Sequence, residues 1–182
     1  MSVRRYPSGA FPPGHTVTIS PFSVHSIGPG LASLASLGTG SAGSWPAANR
    51  ALLFPFVLPH PRTVYKAGWG NGGTVTGNAD IGVYDAGGVR LVSSGATAKS
   101  GANQIQMVDL ADTLLAAGVI HYLALASDDT AQFMRQNLIY VAYAGLGCRE
   151  KAASYPLPNP LTGTAQQTNG YVPVCFLECR AR

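Results

Sequence analysis

From residue 77 to 126 the chain reads GNADIGVYDAGGVRLVSSGATAKSGANQIQMVDLADTLLAAGVIHYLALA. Short alternating apolar runs are separated by Gly, Asp, Asn and Ser. A side chain that changes face at every residue marks a strand, and small polar residues between runs mark turns. In residues 80–84 (DIGVY), Ile81 and Val83 share a face. Residues 85–88 (DAGG) close a tight hairpin, because glycine reaches left-handed backbone conformations without steric cost. Residues 89–93 return, with Val89 and Leu91 on one side and Arg90 and Val92 on the other. Residues 103–110 form the next strand, with Ile105 and Met107 inward. Residues 111–118 (ADTLLAAG) read as a compact crossing turn in which Leu114 or Leu115 plugs one end of the core. Residues 119–126 are strongly apolar, which suits a central strand covered on both faces. No helical period of useful length interrupts the stretch. The expected fold is all-β: an antiparallel β-sandwich of jelly-roll-like form.

Outward from this centre the same signals continue. Residues 51–57 (ALLFPFV) are a strand in which Pro55 marks an edge or bulge position. Residues 62–68 make a second, 69–73 (WGNGG) a loop whose Asn-Gly pair suits positive φ, and 74–76 the start of another strand. Residues 128–130 form a turn, and 132–134 a short strand. Residues 138–143 (LIYVAY) read as a strand from their β-branched and aromatic content, with a helix start as the alternative. Residues 171–178 (YVPVCFLE) return late as an edge strand with a proline inside.

Residues 1–48 differ in kind, being rich in Pro, Gly and Ser. Residues 16–19 suit a short strand. Leu31, Leu34 and Leu37 recur every three residues, yet Gly30 and Gly38 bracket them, and so short a helix does not hold alone in water. The reading is an extended arm that orders by lying on its own core or on a neighbouring subunit. Its candidate contacts are Phe11, Phe22, Leu31, Leu34 and Leu37. The expected organisation is therefore an arm over 1–48, a sandwich core over 49–145 and a C-terminal extension over 146–182 that can add an edge strand.

A chain of 182 residues is one domain by length and can bury a real core. Charged residues make up 11%, against about 25% in typical soluble domains. Few charges repel neighbours weakly, which suits a subunit in a crowded assembly. The net charge is +4, but the basic residues are scattered, so no nucleic-acid partner is expected. The longest oily run, 51–58, is far too short to span a bilayer, and no membrane partner is expected. The first residues hold Arg4 and Arg5 but no apolar core of a secretory signal. Cys148, Cys175 and Cys179 then read as free, packed thiols made in a reducing cytoplasm.

The chain lacks a phosphate-cradling G-x-x-x-x-G-K-[ST], a G-x-S-x-G elbow and an H-E-x-x-H pair. Asp109 with Asp112, Asp128 with Asp129, and Asp80 with Asp85 could be paired carboxylates or calcium ligands. Turn and cap roles account for them better. His15, His25, His60 and His121 are isolated, so no metal site is expected. His121 has no partner placed by sequence and reads as a hydrogen-bonded core or interface residue. Trp45, Trp69, Tyr65 and Tyr84 could stack a sugar, but read better as core or interface aromatics. No catalytic, cofactor or metal residue is assigned.

Five segments together resemble a recurrent β-sandwich module of tailed-bacteriophage structural proteins. They are NRALLFPFVL at 49–58, GNADIGVYD at 77–85, GVRLVSSG at 88–95, DLADTLLAAG at 109–118 and YLALA at 122–126. The likeness covers under half of the chain. Its most specific part is the run matched by Asn78, Asp80, Gly82, Tyr84 and Asp85, followed by Gly88. Ile120-His121 departs from the bulkier aromatic expected before Tyr122. The resemblance implies a non-enzymatic virion component made and assembled in the host bacterial cytoplasm. It does not say where on the particle the component sits; the short chain with no fibrous repeat favours a capsid cement or decoration subunit, contacting the major capsid protein as a homo-oligomer, with a trimer favoured. A head-fibre, neck or tail component is the close alternative. From other classes, a carbohydrate-binding module for host adsorption and a small hydrolase with an unrecognised site stand as rivals.

Overall fold

Two of the alternating runs, residues 78–85 and 120–127, lie side by side at the centre of the larger sheet. The structure is a computed structural model that describes residues 16–19, 42–137 and 147–180. Among the described residues it holds fourteen strands and no helix. They are β1 (Thr16–Ile19), β2 (Ala42–Ser44), β3 (Arg50–Val57), β4 (Arg62–Gly70), β5 (Asn78–Asp85), β6 (Arg90–Ser93) and β7 (Thr97–Ala98). Then follow β8 (Ile105–Leu115), β9 (Ile120–Ser127), β10 (Gln132–Asn137), β11 (Arg149–Lys151), β12 (Ala165–Gln166), β13 (Tyr171–Pro173) and β14 (Cys175–Arg180).

All pairings are antiparallel, in three sheets packed together as a β-sandwich. The seven-stranded sheet runs β12-β11-β3-β9-β5-β6, with β7 also on β5. The four-stranded sheet runs β1-β14-β4-β8, and the three-stranded sheet β13-β10-β2. The main core lies between sheets and includes Leu52, Phe54, Trp69, Ile81, Leu123 and Leu177. Each such side chain contributes roughly 1.5–3 kcal/mol on burial. A second core lies on the other face of β3, β5 and β9, where Ala51, Leu53, Tyr84 and Ala124 meet Leu157 and Leu161. β3 and β9 are thus covered on both faces, as continuous apolar runs require.

Residues 85–88 form the expected hairpin, with the Asp85 amide donating to the Val89 carbonyl at 3.0 Å. Elsewhere the structure corrects the sequence reading. Residues 111–115 are no crossing turn. β8 runs unbroken to Leu115, and a bulge between Val64 and Lys66 absorbs the slip against β4. Leu115 does plug the core, while Leu114 is 49% exposed. The inward parity of β8 is also reversed. Val108 and Leu110 face the core, Ile105 is exposed, and Met107 lies beside Phe176 over Gly68. One residue of register exchanges every face of a strand.

Trp69 and Gly70 belong to β4 rather than to a loop. Asn71 extends that strand by an isolated bridge to Phe133, and 74–76 form no strand. Residues 171–178 split into β13 and β14 at Val174. Its amide donates to Met134 in one sheet, and its carbonyl accepts from Gly70 in the other, both at 2.8 Å. β13, which holds Pro173, does end its sheet, whereas β14 is not an edge strand, since it lies between β1 and β4. Ahead of residue 49, β2 pairs with β10 and Trp45 is 1% exposed in the core. The expected contacts Phe11, Phe22, Leu31, Leu34 and Leu37, and the strand expected at 138–143, lie outside the described residues.

Candidate functional site

The run that carries the resemblance is placed by β5 and its hairpin, and most of it grips one segment of chain. Asp80 points from β5 to the outer face of the seven-stranded sheet and is fully buried there. Its Oδ2 accepts the Leu157 amide at 2.9 Å, and its Oδ1 accepts the Ser94 hydroxyl at 3.3 Å. Burial pushes this carboxyl above the ordinary aspartate range, against the hydrogen bonds and the Arg90 charge that favour its ionised form. Two residues on, the Tyr84 hydroxyl donates to the Pro158 carbonyl at 2.6 Å, and burial pushes that phenol up. The Gly88 carbonyl accepts the Leu161 amide at 2.8 Å. Gly88 has φ +85°, and a Cβ there would meet the Leu161 carbonyl oxygen. Arg90 donates from its side chain to the Leu157 carbonyl, and from its amide to Asn159 Oδ1 at 3.0 Å. Residues 154–161 are thereby held as a strap over the sheet, with the Ser154 amide also donating to the Asn49 carbonyl at 2.7 Å.

The other motif positions serve the backbone. Asp85 Oδ1 accepts the Gly87 and Val89 amides, each at 2.9 Å, which shapes the turn. A Cβ on Gly82 would lie 2.5 Å from the Val92 carbonyl oxygen, so β6 approaches closely only because no side chain intervenes. Asn78 binds Asp128 twice, from its amide at 2.7 Å and its side chain at 2.6 Å.

Beside Asn78 lies the most chemically suggestive cluster. Lys99 Nζ donates to Ser127 Oγ at 2.9 Å and to Asp129 Oδ1 at 2.5 Å, and lies 4.8 Å from the centre of the Phe133 ring. Burial pushes the Asp129 carboxyl up, but hydrogen bonds from Lys99, Thr76 and the Ala131 amide outweigh it and hold the group below the usual range. A serine beside a lysine can be a nucleophile and its base. Here Ser127 is fully buried and beyond a substrate's reach. Its oxygen accepts from Lys99, and Lys99 is held by a carboxylate. The cluster pins the 127–131 turn to β5 and to the chain after β7.

The remaining candidates separate. Asp109 pairs with Lys66 at 3.5 Å, and Asp112 with Arg180. Trp45, Trp69 and Tyr84 are buried, so no external platform forms from them. Tyr65 is half-buried, and its hydroxyl donates to Glu178 at 3.2 Å. His121 is buried against Phe56, and its Nε2 donates to the Ala116 carbonyl at 3.0 Å. Cys148, Cys175 and Cys179 are free and buried. Burial pushes the Cys148 thiol to about 11 and Cys179 to about 12, which disfavours the reactive thiolate. Among the described residues no group of three or more His, Cys, Asp or Glu could hold a metal ion. No helix of the described residues is long and apolar enough to cross a membrane.

Sequence reasoning missed Asn71 and Lys99. Asn71 is fully buried, its Oδ1 accepting the Trp69 indole N–H at 2.9 Å and its Nδ2 donating to Gln106 Oε1 at 3.0 Å. Its glycine neighbours disguised it as a turn residue. Compared with known proteins, the chain matches no family model and no curated protein.

Proposed function

We propose that this protein is a non-enzymatic structural component of a tailed-bacteriophage particle. Its role in this reading is a capsid cement or decoration subunit that bridges joints between major capsid proteins as a homo-oligomer, a trimer being favoured. It is made and assembled in the host bacterial cytoplasm. The observation that carries the reading is the use made of the 78–88 run. Asp80, Tyr84 and Gly88 are committed to the strap, and Asn78, Gly82 and Asp85 to turns and close packing. A motif spent on rigidity is what a scaffold needs, and it leaves no group of that run free for chemistry. The low charge content adds support, since a surface with 11% charged residues packs readily against others.

A head-fibre, neck or tail component is the alternative within the same class. The carbohydrate-binding reading is weakened by the burial of both tryptophans. The test is copy number and position in a purified particle. Hundreds of copies over the shell support cement, and a single set at the tail overturns it.

A further inference from the structure

We propose that residues 1–15 fold back over one end of the sandwich and seat the rings of Tyr6 and Phe11 on its exposed aliphatic side chains. Six large apolar side chains are exposed among the described residues, and the register gathers five of them at that end. Val57, the last residue of β3, lies opposite Ile120, the first of β9. Val119 precedes Ile120 in the connection from β8, which the Gly118 amide ties to the Leu58 carbonyl at 2.9 Å. Asp85, the last residue of β5, lies opposite His121, so the turn that leads to Val89 projects at the same end. Leu114 lies opposite Thr63, near the close of β8. Each of the five is 47–54% exposed. The sixth, Ile105, starts β8 opposite Gly70 and lies at the other end. Aliphatic side chains scattered singly over a surface need no partner, but five gathered at one end mark a face that something covers.

The register also fixes where the chain ahead of β1 leaves the fold. Thr16 is opposite Arg180, Arg180 opposite Thr63, and Thr63 opposite Leu114. β1 runs from there toward Ile19, so the residues before Thr16 depart at the apolar end. Three strand spacings of about 4.8 Å put Leu114 about 14 Å from Thr16. Phe11, five positions before Thr16, can reach about 17 Å. Tyr6, ten positions before it, can reach about 33 Å, which spans the further distance of about 10 Å to Val57 and Ile120 in the facing sheet. Ala181 and Arg182, which follow Arg180, bring no ring to this end. Area decides between the segment and a second copy. A Val, Leu or Ile side chain buries about 60–120 Å², so five half-exposed ones offer at most about 300 Å². A stable interface between subunits takes about 800 Å² from each partner. One or two aromatic rings, at about 150–250 Å² each, are enough to cover the patch. Pro7, Pro12 and Pro13 fix φ along the segment, so it loses less freedom on docking. This inference goes beyond the proposed function and holds whether or not the protein belongs to a particle.

The experiment attaches a nitroxide to the full-length Ser8→Cys chain and follows methyl signals by NMR. Ser8 lies between Tyr6 and Phe11, and the native Cys148, Cys175 and Cys179 are buried away from the reagent. We expect Val57, Leu114, Val119 and Ile120 to lose most of their signal to the nitroxide, while Ile105 at the far end keeps its own. Replacing both rings in the same chain, Tyr6→Ser with Phe11→Ser, should bring the lost signals back and leave that of Ile105 where it was. A further sample mixes nitroxide-bearing chain that lacks isotope label with isotope-labelled chain that lacks nitroxide, and no signal should be lost there. If the four residues keep their signals in the first sample, the segment does not lie on this end and the proposal is overturned. If they lose signal equally with both rings replaced, the rings do not seat it and the proposal fails. Loss in the mixed sample would show that a second copy covers this end, and would overturn it as well.

Discussion

Asp80 and Leu157 are 77 positions apart, and the carboxylate of one accepts the backbone N–H of the other at 2.9 Å inside a face with no water access. This contact ties the C-terminal strap to the central sheet. It also has a cost, because burial disfavours the ionised form of the carboxyl. Asp80→Ala leaves the Leu157 amide buried without an acceptor and is expected to destabilise the fold by about 1–3 kcal/mol. Asp80→Asn keeps an acceptor for Leu157 and removes the charge, and is expected to stay within about 1 kcal/mol of wild type at neutral pH. Urea denaturation of the two variants checks the difference.

The pH dependence of that group has a definite sign. The Asp80 carboxyl is raised in the folded state above its ordinary value of 3.8. Between the two values the folded chain binds more protons than the unfolded one, so this group's contribution falls as pH rises through the window. Asp80→Asn is expected to remove that part of the slope. Stability measured in small steps upward from pH 4 tests it, and an unchanged slope in the variant contradicts the assignment.

Gly88 tests the strap from the other side. Its φ of +85° and the Leu161 carbonyl beside it leave no room for a side chain. Gly88→Ala combines backbone strain of about 1–3 kcal/mol with a clash against rigid backbone, so the strap is expected to lift. Limited proteolysis should then cut within 152–164 in the variant and spare the wild type. Equal cutting in both would show that the strap does not depend on this glycine.

The sandwich was legible because its evidence is local. Alternation at 80–84 and the DAGG turn specify a hairpin whatever surrounds them. The doubly covered strand at 120–127 was legible too, because burial on both faces erases alternation and leaves an apolar run. The parity of β8 was not. Ile105 and Met107 are the apolar choices in that run, but Gln106 takes the inward position because its carbonyl oxygen accepts from buried Asn71 and its amide donates to Ala98. A long-range hydrogen bond there overrides hydrophobic pattern, and no window of sequence contains both partners. The strap illustrates the same limit. Residues 154–161 lack periodicity, and the groups that hold them lie some 70 positions earlier.

The tryptophans offer a direct optical check on the binding reading. Trp45 donates its indole N–H to the Arg50 carbonyl at 3.0 Å and packs on Phe133 and Tyr171. Trp69 donates to Asn71. Both rings are shielded from water. Fluorescence should therefore be blue-shifted, resistant to acrylamide, and unmoved by added saccharides. Emission that shifts with a sugar would restore a carbohydrate site.

The Lys99–Asp129 pair has an asymmetry that a double-mutant cycle should expose. The Lys99 side chain is 0% exposed and the Asp129 side chain 28%. Removing the carboxylate strands a buried ammonium, so Asp129→Ala is expected to cost about 3–5 kcal/mol. Lys99→Met places a similar apolar stem over Phe133 and is expected to cost less, about 1–2 kcal/mol, because the carboxylate it leaves is 28% exposed and keeps its hydrogen bonds from Thr76 and the Ala131 amide. Adding Lys99→Met to Asp129→Ala should then recover most of the loss. The acid response runs opposite to that of Asp80. Asp129 is held below its ordinary value of 3.8 in the folded state, so its stabilisation is present above that value and lost as pH falls through the lowered one. Chemical denaturation of the four chains at neutral pH and near pH 3 separates the terms. If Asp129→Ala and the double variant are equally unstable, the charge on Lys99 is not what the carboxylate neutralises, and the cluster's role lies in the Thr76 and Ala131 hydrogen bonds instead.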